Sequence, residues 1–287
     1  MKIGENIYKL ILLDTNALRE IVTNTNLSGE GFFSKFFKGK DLYAPCFSIY
    51  NVIELMPYED IYEKFLDFFS KVPSLMIYPA KTIIQEEYQK YLNGQTLQIT
   101  NKIANVFSPL VNNESYNCKK FFEKIKCNTK LMKTIQDEIA QLSSVAKSWE
   151  QQRLDSRKIL NNMKLSSEII DEKFYKMQER ETIIKDLSNW GIKPQKTIDI
   201  TALNSLRIME YSQFNRVYMT NKKVLPNDVM DIKISCIIPY IDAVITENFQ
   251  ANIYIKARKL IPRLNKLEIY TLRDIRMNER QLREVLK

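Results

Sequence analysis

The apolar run Leu10-Ile11-Leu12-Leu13 ends abruptly in Asp14, and residues 7–14 are predicted as a short strand closed by an acid. Residues 18–22 continue as a helix, with Thr15 or Asn16 near its start. Residues 41–47 read as a second strand whose pairing is weakened by Pro45. Ser48 is then placed to cap a helix carrying Glu54. A helix over 61–69 and a strand over 75–78 follow, punctuated by Pro57, Pro73 and Pro79.

The pattern changes over residues 81–189, where Gly94 and Pro109 are the only glycine and proline. Helix formers dominate and the apolar spacing follows the helical period, as in Thr134-Ile135-Gln136-Asp137-Glu138-Ile139-Ala140-Gln141-Leu142. The segment 81–199 is therefore expected to be an all-helical insertion, read as a pair of extended antiparallel helices closed by Trp190-Gly191-Ile192-Lys193-Pro194. Beyond it, helices are predicted over 200–211, 228–239 and 249–260, and strands over 242–246 and 267–272. A basic terminal helix is expected over 279–286. The flanks, 1–80 and 200–287, form one discontinuous α/β domain in this reading: strands alternating with helices predict a parallel sheet covered on both faces.

In such sheets ligands bind beyond the carboxyl ends of the strands. Asp14 stands at such an end, Glu54 lies in the helix after the second strand, and Glu247 and Asn248 follow the strand that starts at Asp242. Asp228 and Asp231 are three apart on one helix face. Carboxylates gathered from both ends of a chain repel one another unless cations bind, and oxygen ligands suit Mg²⁺ or Mn²⁺. Such ions commonly serve phosphoryl chemistry. Each acid also has a plainer reading. Asp14 and Asp228 could cap helices, and Glu54 could answer a helix dipole.

Composition narrows the chemistry. The 287 residues contain no histidine, which excludes Ser-His-Asp and Cys-His catalysis and most transition-metal sites. The cysteines Cys46, Cys118, Cys127 and Cys236 form no CxxC pair and are expected to be reduced thiols. Six glycines occur, none in a GxGxxG or Walker pattern, which argues against a phosphate loop. Hydrophobic residues make up 45% and no apolar run spans a bilayer, so no membrane partner is expected. The start Met1-Lys2-Ile3-Gly4-Glu5 lacks signal-peptide features, and a cytoplasmic location is expected. The formal charge of +9 favours a polyanionic partner.

The ordered acids resemble the PIN domain family of metal-dependent nucleases. The resemblance rests on Leu13-Asp14-Thr15-Asn16, Glu54 on an early helix, Asp228 and Asp231 on a late one, and Asp242-Ala243-Val244-Ile245-Thr246-Glu247-Asn248-Phe249, and covers roughly 7–80 and 200–275. It implies a Rossmann-like fold with a central parallel sheet, one or two Mg²⁺ or Mn²⁺ ions, and cleavage of RNA. By position, Asp14, Glu54, Asp231 and Asp242 match the family's acids as catalytic groups, with Asp228 and Glu247 as further metal ligands. Asn16, Thr246 and Asn248 match supporting polar positions, although Glu247 and Asn248 depart from the family's usual Asn or Asp followed by Asp.

Lys222 and Lys223 precede the late acids, and Arg258, Lys259, Arg263, Lys266, Arg273, Arg276 and Arg280 crowd the C-terminal part. Beside an acidic pocket they could steer a phosphate backbone. Lys119, Lys120, Lys124 and Lys126 lie among Tyr116, Phe121 and Phe122, which could stack on bases. The expectation is a Mg²⁺/Mn²⁺-dependent endoribonuclease. The alternative is a catalytically inactive PIN-like module that binds RNA or a protein, with the helical insertion as a candidate surface for a homodimer or partner.

Overall fold

The computed structural model describes residues 1–3, 5–23, 42–109, 116–163, 172–195 and 197–274. The terminal helix expected over 279–286, with Arg276 and Arg280, lies outside them. A short antiparallel pair, β1 (Lys2–Ile3) and β2 (Asn6–Ile7), leads into β3 (Lys9–Leu13), whose end passes through Asp14 into α1 (Thr15–Thr23). Next come β4 (Tyr43–Ser48), α2 (Ile49–Leu55), α3 (Glu59–Phe69) and β5 (Ser74–Ile77).

After α4 (Ala80–Leu92), a strand the sequence reading missed, β6 (Ala104–Phe107), pairs antiparallel with β5. Then follow α5 (Cys118–Lys126), α6 (Thr129–Asn162), α7 (Glu172–Asn189), α8 (Asn204–Tyr218) and α9 (Pro226–Ser235). The described chain closes with β7 (Ala243–Thr246), α10 (Asn248–Ala257) and β8 (Glu268–Thr271).

The six-stranded sheet runs β6-β5-β4-β3-β7-β8, and every neighbour pair except β5–β6 is parallel. The mixed α/β class is as expected. Strand period two divides the apolar run of β3 between the two faces. Leu10 and Leu12 join Ala44, Cys46, Leu75 and Ile77 in one core, while Ile11 and Leu13 join Phe47, Phe65 and Phe69 in the other. Pro45 is tolerated in the sheet centre. It pairs with Ile11, and β5 joins β4 only from Cys46 onward.

The segment 81–199 is not all helical. β6 belongs to the sheet, and Phe107 and Phe122 sit in the second core with Phe47. From Thr129 on, α6 and α7 both pack on α8, and their Ile135, Leu142, Ile183 and Leu187 share the first core with the sheet. α8 is buried around most of its girth, and its enclosed side chains include the polar Ser205, Arg207, Glu210, Ser212, Asn215 and Arg216. No helix among the described residues is long and apolar enough to cross a membrane.

One buried acid ties these layers together. Glu87 of α4 is 2% exposed and accepts from Ser205 N, the first turn of α8, at 2.9 and 3.1 Å. The Tyr240 hydroxyl also donates to it. Burial pushes its carboxyl up to about 7 despite these donors. Glu87→Ala leaves a buried N–H and hydroxyl unpaired, so urea unfolding should show a loss of about 2–4 kcal/mol.

Candidate active site

The chain fills the sheet outward from β3 through β4 and β5, then returns to place β7 and β8 on the other side of β3. The strand order thus reverses between β3 and β7, and a crevice opens at their carboxyl ends. Asp14 lies in it. Its Oδ1 accepts from Ala17 N at 2.7 Å, capping α1, and its Oδ2 accepts from Glu247 N at 2.9 Å. The cap reading of Asp14 therefore holds, and the same carboxylate lines the crevice. Burial pushes its carboxyl up to about 6, against the lowering effect of these two bonds and one from Thr246.

Glu54 reaches the crevice from α2. Ser48 and Asn51 form a capping box at the start of that helix, and the Asn51 amide donates to Thr15 Oγ1 at 2.9 Å, fixing α2 against α1. Asn227 Nδ2 donates to Glu54 Oε1 at 2.7 Å. Glu247, just before α10, accepts from the Asn16 amide. Asp231 comes from α9. Burial, then the charges of Asp14, Glu54, Asp228 and Glu247, hold its carboxyl well above the usual range. Asp231 has no hydrogen-bond or ion-pair partner among the described residues.

These groups line one cavity of about 240 Å³, which also takes in Asn16, Thr246 and Lys222. Asp228 lines it as well, but its oxygens are engaged. They accept from Leu225 N at 2.7 Å and from the Arg216 guanidinium, so its main work is to cap α9 and orient Arg216.

Other expected members lie elsewhere. Asp242 stands at the amino end of β7, where its Oδ2 accepts from Leu10 N at 2.7 Å. Four residues of strand, roughly 13 Å, separate it from Thr246, so it completes the far edge of the sheet. Asn248 begins α10 and does not line the cavity, nor does Lys223. The Arg258 guanidinium donates to Leu264 O at 3.2 Å and Leu267 O at 2.5 Å, and Lys259 Nζ lies 3.9 Å from Glu172. Arg258→Ala should therefore lower stability by about 1–3 kcal/mol and leave nucleic-acid affinity unchanged, as paired melting and binding assays will show. Of the aromatics near the α5 lysines, Phe121 and Phe122 are packing groups, Phe122 being buried and Phe121 meeting Phe107 at 5.3 Å, while Tyr116 is exposed.

Sequence reasoning missed the cationic wall. Arg19 of α1 lines the cavity with its guanidinium 4.5 Å from the Tyr58 ring, and Arg216 sits 5.2 Å from Phe249. The Nε of each is buried without a hydrogen bond. Arg19 could have been found from its place one turn beyond Asn16 on the helix that Asp14 caps. Arg216, inside a buried helix, leaves no such signal.

Among the described residues, no three acids are drawn close enough together to form a metal-ligating group. The donor set nevertheless suits a hard cation, being all oxygen with no histidine or cysteine. It also contains a carboxylate, Asp231, that nothing else satisfies. Compared with family models, with curated proteins and with solved structures, the chain matches none.

Proposed function

We propose that the protein is a Mg²⁺- or Mn²⁺-dependent nuclease with a PIN-like fold that hydrolyses phosphodiester bonds, RNA being the substrate that the PIN resemblance favours. The observation that carries this reading is Asp231: a carboxylate without a donor, facing Asp14, Glu54, Asp228 and Glu247 at a topological switch point. Asp14, Glu54, Asp231 and Glu247 would hold the cation. When bound, it supplies Lewis-acid activation of water and charge compensation at the phosphate.

The rest is the work of the chain's own groups. Two backbone N–H donors fix the Asp14 carboxylate. Asn16 and Asn227 hold the Glu247 and Glu54 side chains in place. Arg19 and Lys222 line the same cavity and bring positive charge to it, where a phosphate backbone can be drawn in and oriented. With no histidine in the chain, proton delivery to the leaving oxygen falls to Lys222 or solvent.

The test is cleavage of labelled single-stranded RNA and DNA with Mg²⁺, Mn²⁺ or EDTA, beside Glu54→Gln, which keeps an acceptor for Asn227. Metal-dependent cleavage lost in the variant supports the nuclease. One observation favours the second reading, an inactive module that binds RNA or a protein: the Asn16 and Asn227 amides already satisfy Glu247 and Glu54 without a cation. Salt-sensitive binding without cleavage by either protein would select it.

A further inference from the structure

On the other side of α8 lies a second cavity of about 370 Å³, enclosed by α6, α7 and α8. α8 separates the two. Ser212 and Arg216 face the acidic crevice, while Glu210, Gln213 and Phe214 face this one. Cavities between packed helices are common ligand sites. This one does not depend on the nuclease reading.

Its floor holds an unusual group. Glu210 is 3% exposed, and its Oε1 is buried without a hydrogen-bond partner. Among the described residues no lysine or arginine pairs with it. Burial, and a hydrogen bond shared with the Asp186 carboxylate, hold the Glu210 carboxyl well above the usual range. Asp186 Oδ1 also accepts from Asn189 Nδ2 at 3.0 Å.

Four aromatic side chains stand among the polar groups of the walls: Trp149 from α6, Tyr175 from α7, Phe214 and Tyr218 from α8. Tyr175 and Phe214 meet at 5.3 Å, and Phe214 and Tyr218 at 5.4 Å. Besides Glu210, the charged and titratable groups that line the cavity are Asp186, Lys185 and Tyr175 on α7 and Tyr218 on α8. α6 contributes Ser148, Trp149 and Gln152, none of which titrates. The nearby Arg207 is satisfied by Glu179 at 2.7 Å.

The buried Glu210 carboxyl, beside Asp186 in a cavity that four aromatic rings help to line, has no cationic partner among the described residues. A ligand that brings positive charge and N–H donors would supply one and gain cation–π contacts with the walls. We propose that this cavity is a binding site for a small organic cation, a primary amine or guanidinium, recognised by Glu210 and Asp186. Binding displaces the Glu210 proton into solvent, so affinity rises with pH.

The experiment is calorimetric titration of the full chain with agmatine, spermidine, N-acetylarginine methylamide and, as a neutral donor, guanosine. It is run at pH 6 and pH 8 in buffers of different ionisation enthalpy. The expected result is saturable binding of a cation with proton release. It should weaken about 10- to 100-fold in Glu210→Gln and also weaken in Asp186→Asn, with both variants shown folded by their melting curves. Preference for agmatine or spermidine would point to a free amine, and preference for the arginine amide to a partner's side chain. No binding of any cation to folded protein, binding unchanged in both variants, or binding of guanosine alone would overturn the proposal.

Discussion

Asp231→Asn is expected to abolish metal-dependent cleavage and at the same time raise the stability of the metal-free protein. The two effects have one cause. Asp231 is a half-buried carboxylate facing four others with no donor to compensate it, so in its charged form it works against the fold. Asparagine keeps the shape and removes the charge. The loss of cleavage should be at least about 10²–10³-fold, the size of effect seen when one preorganised electrostatic group is removed from an active site. The melting temperature should rise, each kcal/mol being worth about 2–4 °C in a large domain.

Asp14→Asn should behave differently. Asp14 accepts from two backbone N–H groups, one on each oxygen. An asparagine turns an NH₂ toward one of them, so that variant loses activity and stability together. Activity assays paired with melting curves on both variants check the distinction. A destabilised Asp231→Asn would contradict the account of an uncompensated charge.

The second large effect is a reversed pH dependence that a cation should cancel. Asp14 titrates near 3.8 when unfolded and about 6 when folded, and Glu87 moves from 4.5 to about 7. Between those values the folded protein holds more protons than the unfolded chain, so stability falls as pH rises. The loss develops from about pH 4 to pH 6 for Asp14 and from about pH 4.5 to pH 7 for Glu87, and Asp231 acts in the same direction. Once Asp14 is ionised its share is on the order of 2–3 kcal/mol. In EDTA the protein should therefore melt higher at pH 5.5 than at pH 7.5. Mg²⁺ or Mn²⁺ should recover the difference at pH 7.5, by about 2.7 kcal/mol at a hundred times the dissociation constant. The Glu87 share should persist with metal, because Glu87 lies outside the crevice. Scanning calorimetry at the two pH values, with and without metal, measures both parts.

The sequence carried the centre of this site because an acid closing or interrupting an apolar run is conspicuous. Asp14 closes one such run, and Asp231 interrupts Val229-Met230-Ile232. It misplaced Asp242 because a carboxylate beside a strand looks alike at either end. In a parallel sheet, however, the residue before β7 lies at the opposite edge from the residue after β3. β6 was missed because four residues, Ala-Asn-Val-Phe, carry too little pattern to stand out among helix formers. The basic residues illustrate the limit of counting charge. Arg258 spends its guanidinium on two carbonyls, while Arg19 and Arg216 stand at the cavity. Tertiary packing alone distinguishes them.

The most direct test of the central claim is a Mn²⁺ titration followed by electron paramagnetic resonance, on the wild type, Asp231→Asn and Asp242→Asn. The account predicts stoichiometric binding by the wild type and by Asp242→Asn, whose side chain stands at the other end of the sheet, and its loss in Asp231→Asn. Binding that survives in Asp231→Asn, or that disappears in a folded Asp242→Asn, would contradict it.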